Sequence, residues 1–336
     1  MKQILVIYTG GTIGMVKDAK TGSLHPFDMS RIYEALPVLR ELPCVLDSYR
    51  FDPIIDSSNM KPEYWVKLAC IIEENYEKYD GFVVLHGTDT MSYTASMLSF
   101  MLENLGKPVV LTGSQLPLGM IRTDGRENII GAVEIASSET VIIPEVCIFF
   151  EDKLYRGNRT TKINSEYFEA FYSGNYPSLA KVGINISYKK HLFADMPSNK
   201  LKVYKKLDDN IVIVKIFPGL KEEYLKSILS MNGLKAVVLE TFGSGNAPTE
   251  DWFINCLRDA IDRGIIIYNV TQCKAGAVVM GHYETSTMLA QIGIVGGYDI
   301  TTESAVAKLM FVLGNYEDKE EIYRMLNTSL RGEITV

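Results

Sequence analysis

The chain has 336 residues, 47% hydrophobic and 22% charged, so it is far from a disordered composition and can build sizeable cores without disulfide or metal staples. Forty-one acidic against 34 basic side chains give a net charge of -7. That balance is opposite to what a phosphate-neutralising nucleic-acid binder or an anionic-membrane binder needs, which leaves small molecules or another protein as partners.

The opening apolar run to Tyr8 is too short for a signal h-region and passes straight into Thr9-Gly10-Gly11. No apolar stretch reaches membrane-spanning length. Five cysteines (Cys44, Cys70, Cys147, Cys256, Cys273) are odd in number and widely spaced, with no CxxC, and His25, His86, His191 and His282 lie in no Cys/His cluster. Neither a local zinc site nor a secreted disulfide framework is expected; the reading is a reduced, cytoplasmic, soluble protein.

Short apolar runs alternating with segments of helical period predict βα units around a parallel sheet. Gln3 to Tyr8, Gly81 to Leu85 and Pro108 to Leu111 read as buried strands. After Pro62, suited to a first helical turn, Trp65, Leu68, Ala69, Ile72 and Tyr76 form an apolar stripe. Met91, Ala95, Leu98 and Leu102 form a second stripe, and a further helix is predicted over Arg122 to Ser137. Six lysines and the loss of apolar period from Lys189 to Asn210 read as a solvated connector. The rhythm resumes with strand Ile211 to Phe217, a helix near Glu222 to Ser230 and strand Ala236 to Glu240. Phe253, Leu257, Ala260 and Ile261 mark a helix before strand Ile265 to Val270. A last element around Glu320 to Leu330 carries Ile322, Leu326 and Leu330 on one face. The chain therefore divides into an N-terminal α/β domain, 1–188, a linker, 189–210, and a smaller C-terminal α/β domain, 211–336.

Ligands of open parallel sheets sit beyond the carboxyl ends of the strands. Those ends carry Thr9-Gly10-Gly11-Thr12-Ile13-Gly14, His86-Gly87-Thr88-Asp89-Thr90 and Thr112-Gly113-Ser114-Gln115, and another turn is Asp56-Ser57-Ser58-Asn59. The first turn lacks both the Walker spacing and a full GxGxxG, against a phosphate cradle. A structural tight turn and a nucleophilic hydroxyl remain, and Thr88-Asp89 at a second strand end adds weight to the latter. Thr12 would need a base. His86 suits by type, but it ends an apolar strand and reads as a packed structural histidine. GxSxG is absent, so an α/β-hydrolase triad is not indicated. A lysine relayed through a hydroxyl and oriented by a carboxylate would serve instead, without the residues naming which lysine. Arg122, Asp124, Arg126 and Glu127 read as surface pairs at a helix start, and Met97, Met101 and Met310 as core.

Thr9 to Met15 (TGGTIGM) together with His86 to Met91 (HGTDTM) resemble the two signature motifs of the bacterial-type L-asparaginase family. Asp56-Ser57-Ser58, Thr112 to Gln115, Leu154 to Lys162, Gly243 to Pro248 and Thr271-Gln272-Cys273 match further, from residue 4 to about 334. The TQC segment and the absent signal peptide make the chain most similar to the cytoplasmic, type I branch. The resemblance implies a larger N-terminal parallel-sheet domain and a smaller, flavodoxin-like C-terminal domain. It implies hydrolysis of L-asparagine to L-aspartate and ammonia without cofactor or metal, through an acyl-enzyme on Thr12. Thr88, Asp89 and Lys162 would form the second catalytic group, Lys162 relaying a proton through Thr88 and Asp89 binding the substrate ammonium. Asp56, Ser57 and Ser58 would hold the α-amino and α-carboxylate groups, with Gly11, Gly87 and Ser114 also lining the substrate site. Backbone N–H groups of Gly11 or Thr88 would serve as oxyanion donors. Members of the family assemble as homo-oligomers, dimers or dimers of dimers, and Asn246 matches the residue that completes a neighbour's site.

Two departures stand out. The loop Val16 to Asp28 lacks the family's tyrosine, and the first tyrosine after Thr12 is Tyr33; either Ser23 or a water substitutes, or activation rests on Lys162 alone, and no residue is assigned that role. A regulatory asparagine site of some type I members resembles Thr161 and Thr271 to Cys273 here, but Glu240 stands where an arginine is expected. A carboxylate there would repel the effector's α-carboxylate, so weakened or absent asparagine activation is expected. Two other readings are a non-catalytic amino-acid or nucleotide sensor, which would bind without turnover, and an asparaginase-like amidotransferase subunit, which would call for an N-terminal extension before the first strand.

Overall fold

The structure, a computed structural model, describes residues 1–17, 24–26, 32–281 and 284–336. It forms two compact units, Met1–Lys205 and Lys206–Val336. Mixed α/β architecture holds in both.

The first unit is built on an eight-stranded sheet. Its parallel part runs Cys44–Arg50, Lys2–Tyr8, Gly81–Leu85, Val109–Thr112, Val146–Phe150, a chain order of 2-1-3-4-5. Lys153–Arg156, Ala180–Val182 and Ile186–Tyr188 extend it antiparallel. The second parallel strand lies on one side of the first and the third on the other. Connections therefore leave the first strand in opposite directions, opening a crevice between the carboxyl ends of Lys2–Tyr8 and Gly81–Leu85. Both strands are apolar through the middle because both sheet faces are covered. Ile4, Val6 and Tyr8 pack with Ile129, Ala132 and Val133 of helix Gly125–Ala136 in one core.

That helix starts three residues later than expected, because Asp124 turns its carboxylate back onto Gln115 N (2.9 and 3.1 Å) and Leu116 N (3.1 Å). Helix Met91–Met101 is buried nearly all round, not on one stripe alone. It lies between helix Pro62–Asn75, strand Val146–Phe150 and the 3₁₀ turn Gly157–Arg159. The lysine-rich segment after residue 188 is tied to the first unit as far as Lys205. Leu192 and Phe193 pack on its core, Ala194 N donates to Glu145 Oε1 (2.8 Å), and Lys202–Val203 pairs with Leu102–Glu103.

The second unit has four parallel strands in chain order, Ile211–Lys215, Ala236–Thr241, Ile266–Thr271 and Val295–Gly296. Helices Glu222–Leu229 and Asp251–Asp262 give Leu225, Phe253 and Leu257 to a core with Leu239 and Ile267. The last helix spans Lys319–Leu326 and stops short of Leu330. Beyond it, Leu330 N and Arg331 N donate to Glu333, which pairs with the buried Lys308. Among the described residues no helix is long and apolar enough to cross a membrane.

Candidate active site

Two threonine turns and a serine turn meet at the crevice. Thr9 N and Oγ1 both donate to Leu85 O (3.0 and 3.1 Å), locking the first strand's end to the third's. Ile55 N donates to Thr9 O (2.7 Å) and brings in the Asp56-Ser57-Ser58 segment. Gly11 has φ +87°, and a Cβ there would lie 2.5 Å from Gly87 Cα and N. A Cβ on Gly87 would lie 2.5 Å from Ser57 Oγ. Only glycine permits both the positive φ and this approach of backbone to backbone. Thr12 opens the 3₁₀ turn Thr12–Gly14 and is half-buried. Beneath it, Tyr8 Oη donates to Gly11 O (3.3 Å), and burial pushes the Tyr8 phenol up to about 12, with Arg50 opposing.

Thr88 and Asp89 open the 3₁₀ turn that leads into helix Met91–Met101. Lys162 reaches them from the short strand Thr161–Lys162, held antiparallel to Phe171–Tyr172. Its Nζ donates to Thr88 Oγ1 (2.8 Å) and to Asp89 Oδ1 (2.6 Å). Thr88 Oγ1 donates in turn to Gln115 Oε1 (3.3 Å). The orientation of the Gln115 amide follows from its other contacts. Its nitrogen faces the carbonyl oxygens of Tyr167 (3.2 Å) and Asn164 (3.4 Å), which only accept, so its oxygen faces Thr88. Lysine, threonine and carboxylate thus form one hydrogen-bonded group beside the turn of Thr12.

His86 is fully buried and spans no part of that group. Its Nδ1 lies 2.7 Å from Gly87 O and its Nε2 2.9 Å from Thr94 Oγ1, which accepts the Trp65 indole N–H (2.9 Å). Burial lowers its pKa to about 4, with the Gly87 bond opposing, so it is neutral near pH 7.

The remaining residues named from sequence fall as follows. Asp56 caps its own turn, accepting from Ser58 N (3.0 Å); Asp56 and Ser58 are exposed and Ser57 is buried. Thr90 Oγ1 donates to Ser57 O (2.8 Å). Ser114 is buried and donates to Leu116 O (2.6 Å). Thr161 is buried in the first unit. In the second unit, Asn246 closes a turn with Phe242 (2.8 and 2.9 Å). Thr271 Oγ1 donates to Gly243 O (2.6 Å) and accepts from Cys273 N (3.1 Å), and Cys273 is exposed. Glu240 Oε1 accepts from Thr302 Oγ1 (2.5 Å), and Lys215 lies 3.6 Å from Oε2. Ser23 and most of its loop lie outside the described residues. Tyr33 Oη accepts from Leu46 N (3.1 Å), in the strand Cys44–Arg50. Arg156 is buried and ion-paired to Glu145 (2.6 Å). Among the described residues no cluster of three or more His, Cys, Asp or Glu could hold a metal.

Tyr8, Gln115 and Asp124 support the site, a role that sequence reasoning misses. Tyr8 and Gln115 directly flank the glycine turns, a signal that could have found them. Asp124 read as a helix-start residue, but its carboxylate holds the backbone of Gln115 and Leu116.

Residues 3–194 match the family described as "Asparaginase, N-terminal", and residues 210–326 match "Glutaminase/Asparaginase C-terminal domain". The chain is 43% identical to "L-asparaginase 1" of Escherichia coli (strain K12), covering 99% of this chain and 98% of that protein. It is 41% identical to "60 kDa lysophospholipase" of Mus musculus, across 100% of this chain and 63% of that protein. The crystal structure of L-asparaginase I from Vibrio cholerae O1 biovar eltor matches with a TM-score of 0.91 at 42% identity, covering 100% of this chain and 99% of that one. The chain belongs to the bacterial-type L-asparaginase family, in its type I branch.

Proposed function

We propose that the protein hydrolyses L-asparagine to L-aspartate and ammonia through an ester on Thr12. The observation that carries this reading is the hydrogen-bonded Lys162–Thr88–Asp89 group, set against the Thr12 turn by the Gly11–Gly87 contact. Thr12 Oγ1 attacks the side-chain amide carbon and the carbonyl oxygen becomes an oxyanion beside the backbone N–H groups of the two turns. Thr88 and Lys162 carry protons between the attacking hydroxyl and the departing amine. Asp89 has one oxygen on Lys162 and offers the other to the substrate ammonium. Ammonia leaves, and water then splits the Thr12 ester to release aspartate. Asp56, Ser57 and Ser58 hold the α-amino and α-carboxylate groups, with Gly11, Gly87 and Ser114 lining the site.

The active form in this reading is a cytoplasmic homo-oligomer, a dimer or dimer of dimers, in which Asn246 completes a neighbouring copy's site. A sensor would not need a lysine bonded to a hydroxyl beside a second hydroxyl, and it would bind asparagine without turnover. Ammonia release from L-asparagine tests the proposal directly. Folded Thr12→Ala protein should lose about 10³-fold or more of kcat, as loss of a nucleophile does elsewhere. Wild-type rates in that variant would sink the Thr12 mechanism.

A further inference from the structure

We infer that His86 is a positioning residue for the reaction proposed above: by holding the Gly87 carbonyl in the core, it turns the Thr88 N–H of the same peptide toward the substrate as an oxyanion donor. The inference rests on that functional reading and on the geometry around Gly87. A trans peptide is planar, with its C=O and N–H pointing in opposite directions. Gly87 has no side chain to restrain that plane, because Ser57 occupies the space a Cβ would need. The His86 ring is bonded to the Gly87 carbonyl at 2.7 Å, a side-chain hold on the same plane that opens the turn Thr88–Thr90.

The bonding also fixes which ring nitrogen carries the proton. Gly87 O can only accept, so Nδ1 is the donor and the neutral ring presents Nε2 as an acceptor. Thr94 donates to Nε2 at 2.9 Å; the Trp65 indole N–H can only donate, so Thr94 accepts from it and keeps its own hydroxyl hydrogen for Nε2. Trp65, Thr94, His86 and Gly87 therefore form a chain of hydrogen bonds that all run in one direction. All three side chains are buried, so water does not compete for any link. The low pKa of the ring, about 4, keeps this arrangement at neutral pH.

Two substitutions separate aiming from packing. Asparagine places its amide nitrogen where the imidazole Nδ1 stands; glutamine places its nitrogen where Nε2 stands. His86→Gln should lose about 10²-fold in kcat, the scale of one oxyanion donor, with KM within about threefold. His86→Asn should keep kcat within about tenfold of wild type, well above His86→Gln. A residue that only fills volume would rank them the other way, since glutamine is closer to histidine in size. That reversed order, or undiminished kcat in His86→Gln with an active wild type, overturns this proposal alone. Absence of ammonia release from the wild type would overturn the functional reading and this proposal with it. Should the variants fail to fold, ¹⁵N-histidine NMR of the wild type still decides. It should show His86 protonated on Nδ1 from pH 5.5 to 8, and an Nε2-protonated ring overturns the proposal.

Discussion

His86 also links the site to acid stability. In an unfolded chain a histidine titrates near 6.5, whereas burial holds this one down at about 4. Between those values the unfolded chain binds a proton that the folded chain refuses, so stability falls with falling pH. The contribution is intact above about 6.5 and is lost progressively toward pH 4, by about 3 kcal/mol in all. Thermal unfolding from pH 7 to 4.5 should therefore show a steeper fall of Tm for wild type than for His86→Asn, which has nothing to titrate there. Equal slopes would mean that His86 takes its proton inside the fold. At this scale the sequence was informative where function is written in the backbone. Glycine and hydroxyl residues at strand ends could be read without neighbours, and His86 at the end of an apolar strand read as structural. Lys162 could not be found that way, because it meets Thr88 across 74 positions of chain through a strand pair of two residues each. Only the resemblance named it. Gln115 stands in a strand-end turn that the sequence makes plain, but its role depends on an amide orientation set by the carbonyls of Asn164 and Tyr167.

The end of the second unit shows an element held by one buried pair. Lys308, on helix Thr302–Asn315, is wholly buried, with Nζ 2.7 Å from Glu333 Oε1, 3.0 Å from Leu326 O and 2.7 Å from Thr328 O. Burial pushes the Lys308 pKa down and Glu333 opposes it. Removing one partner leaves a charge in the core, which typically costs about 3–5 kcal/mol. Lys308→Met should lose that much in urea unfolding, and adding Glu333→Leu should recover part of it by removing the stranded carboxylate. A single variant within about 1 kcal/mol of wild type would show the pair to be dispensable. This clamp also explains a boundary that periodicity misplaced. Leu330 shares a helical face with Ile322 and Leu326 in the sequence, but Glu333 collects its N–H and turns the chain instead. Most strands were legible because burial on both faces makes them plainly apolar. Helix Met91–Met101 read as a one-sided stripe since Ser92, Thr94, Ser96 and Ser99 are polar; each is nevertheless buried in the crowded layer beneath the active site.

For the whole molecule, a net charge of -7 argues against polyanionic partners but does not choose a zwitterion; a few local charges do that. The same distinction governs regulation. An asparagine effector must present a carboxylate as well as an ammonium, and a site for it needs a free cation or unpaired donors. In the second unit Glu240 supplies the opposite charge, with one oxygen on Thr302 and the other 3.6 Å from the ammonium of Lys215. The Thr271 hydroxyl is engaged by Gly243 O and Cys273 N. Moving an effector carboxylate to this place would set it against Glu240 and would also compete with bonds already formed. We therefore expect the rate of ammonia release to rise hyperbolically with L-asparagine, with a Hill coefficient of about 1, since activation requires differential binding to two states. Neutralising the repulsion in Glu240→Gln should leave the curve hyperbolic, because it supplies no cation. Sigmoidal kinetics in the wild type would show that asparagine activates despite Glu240 and would move the regulatory site elsewhere.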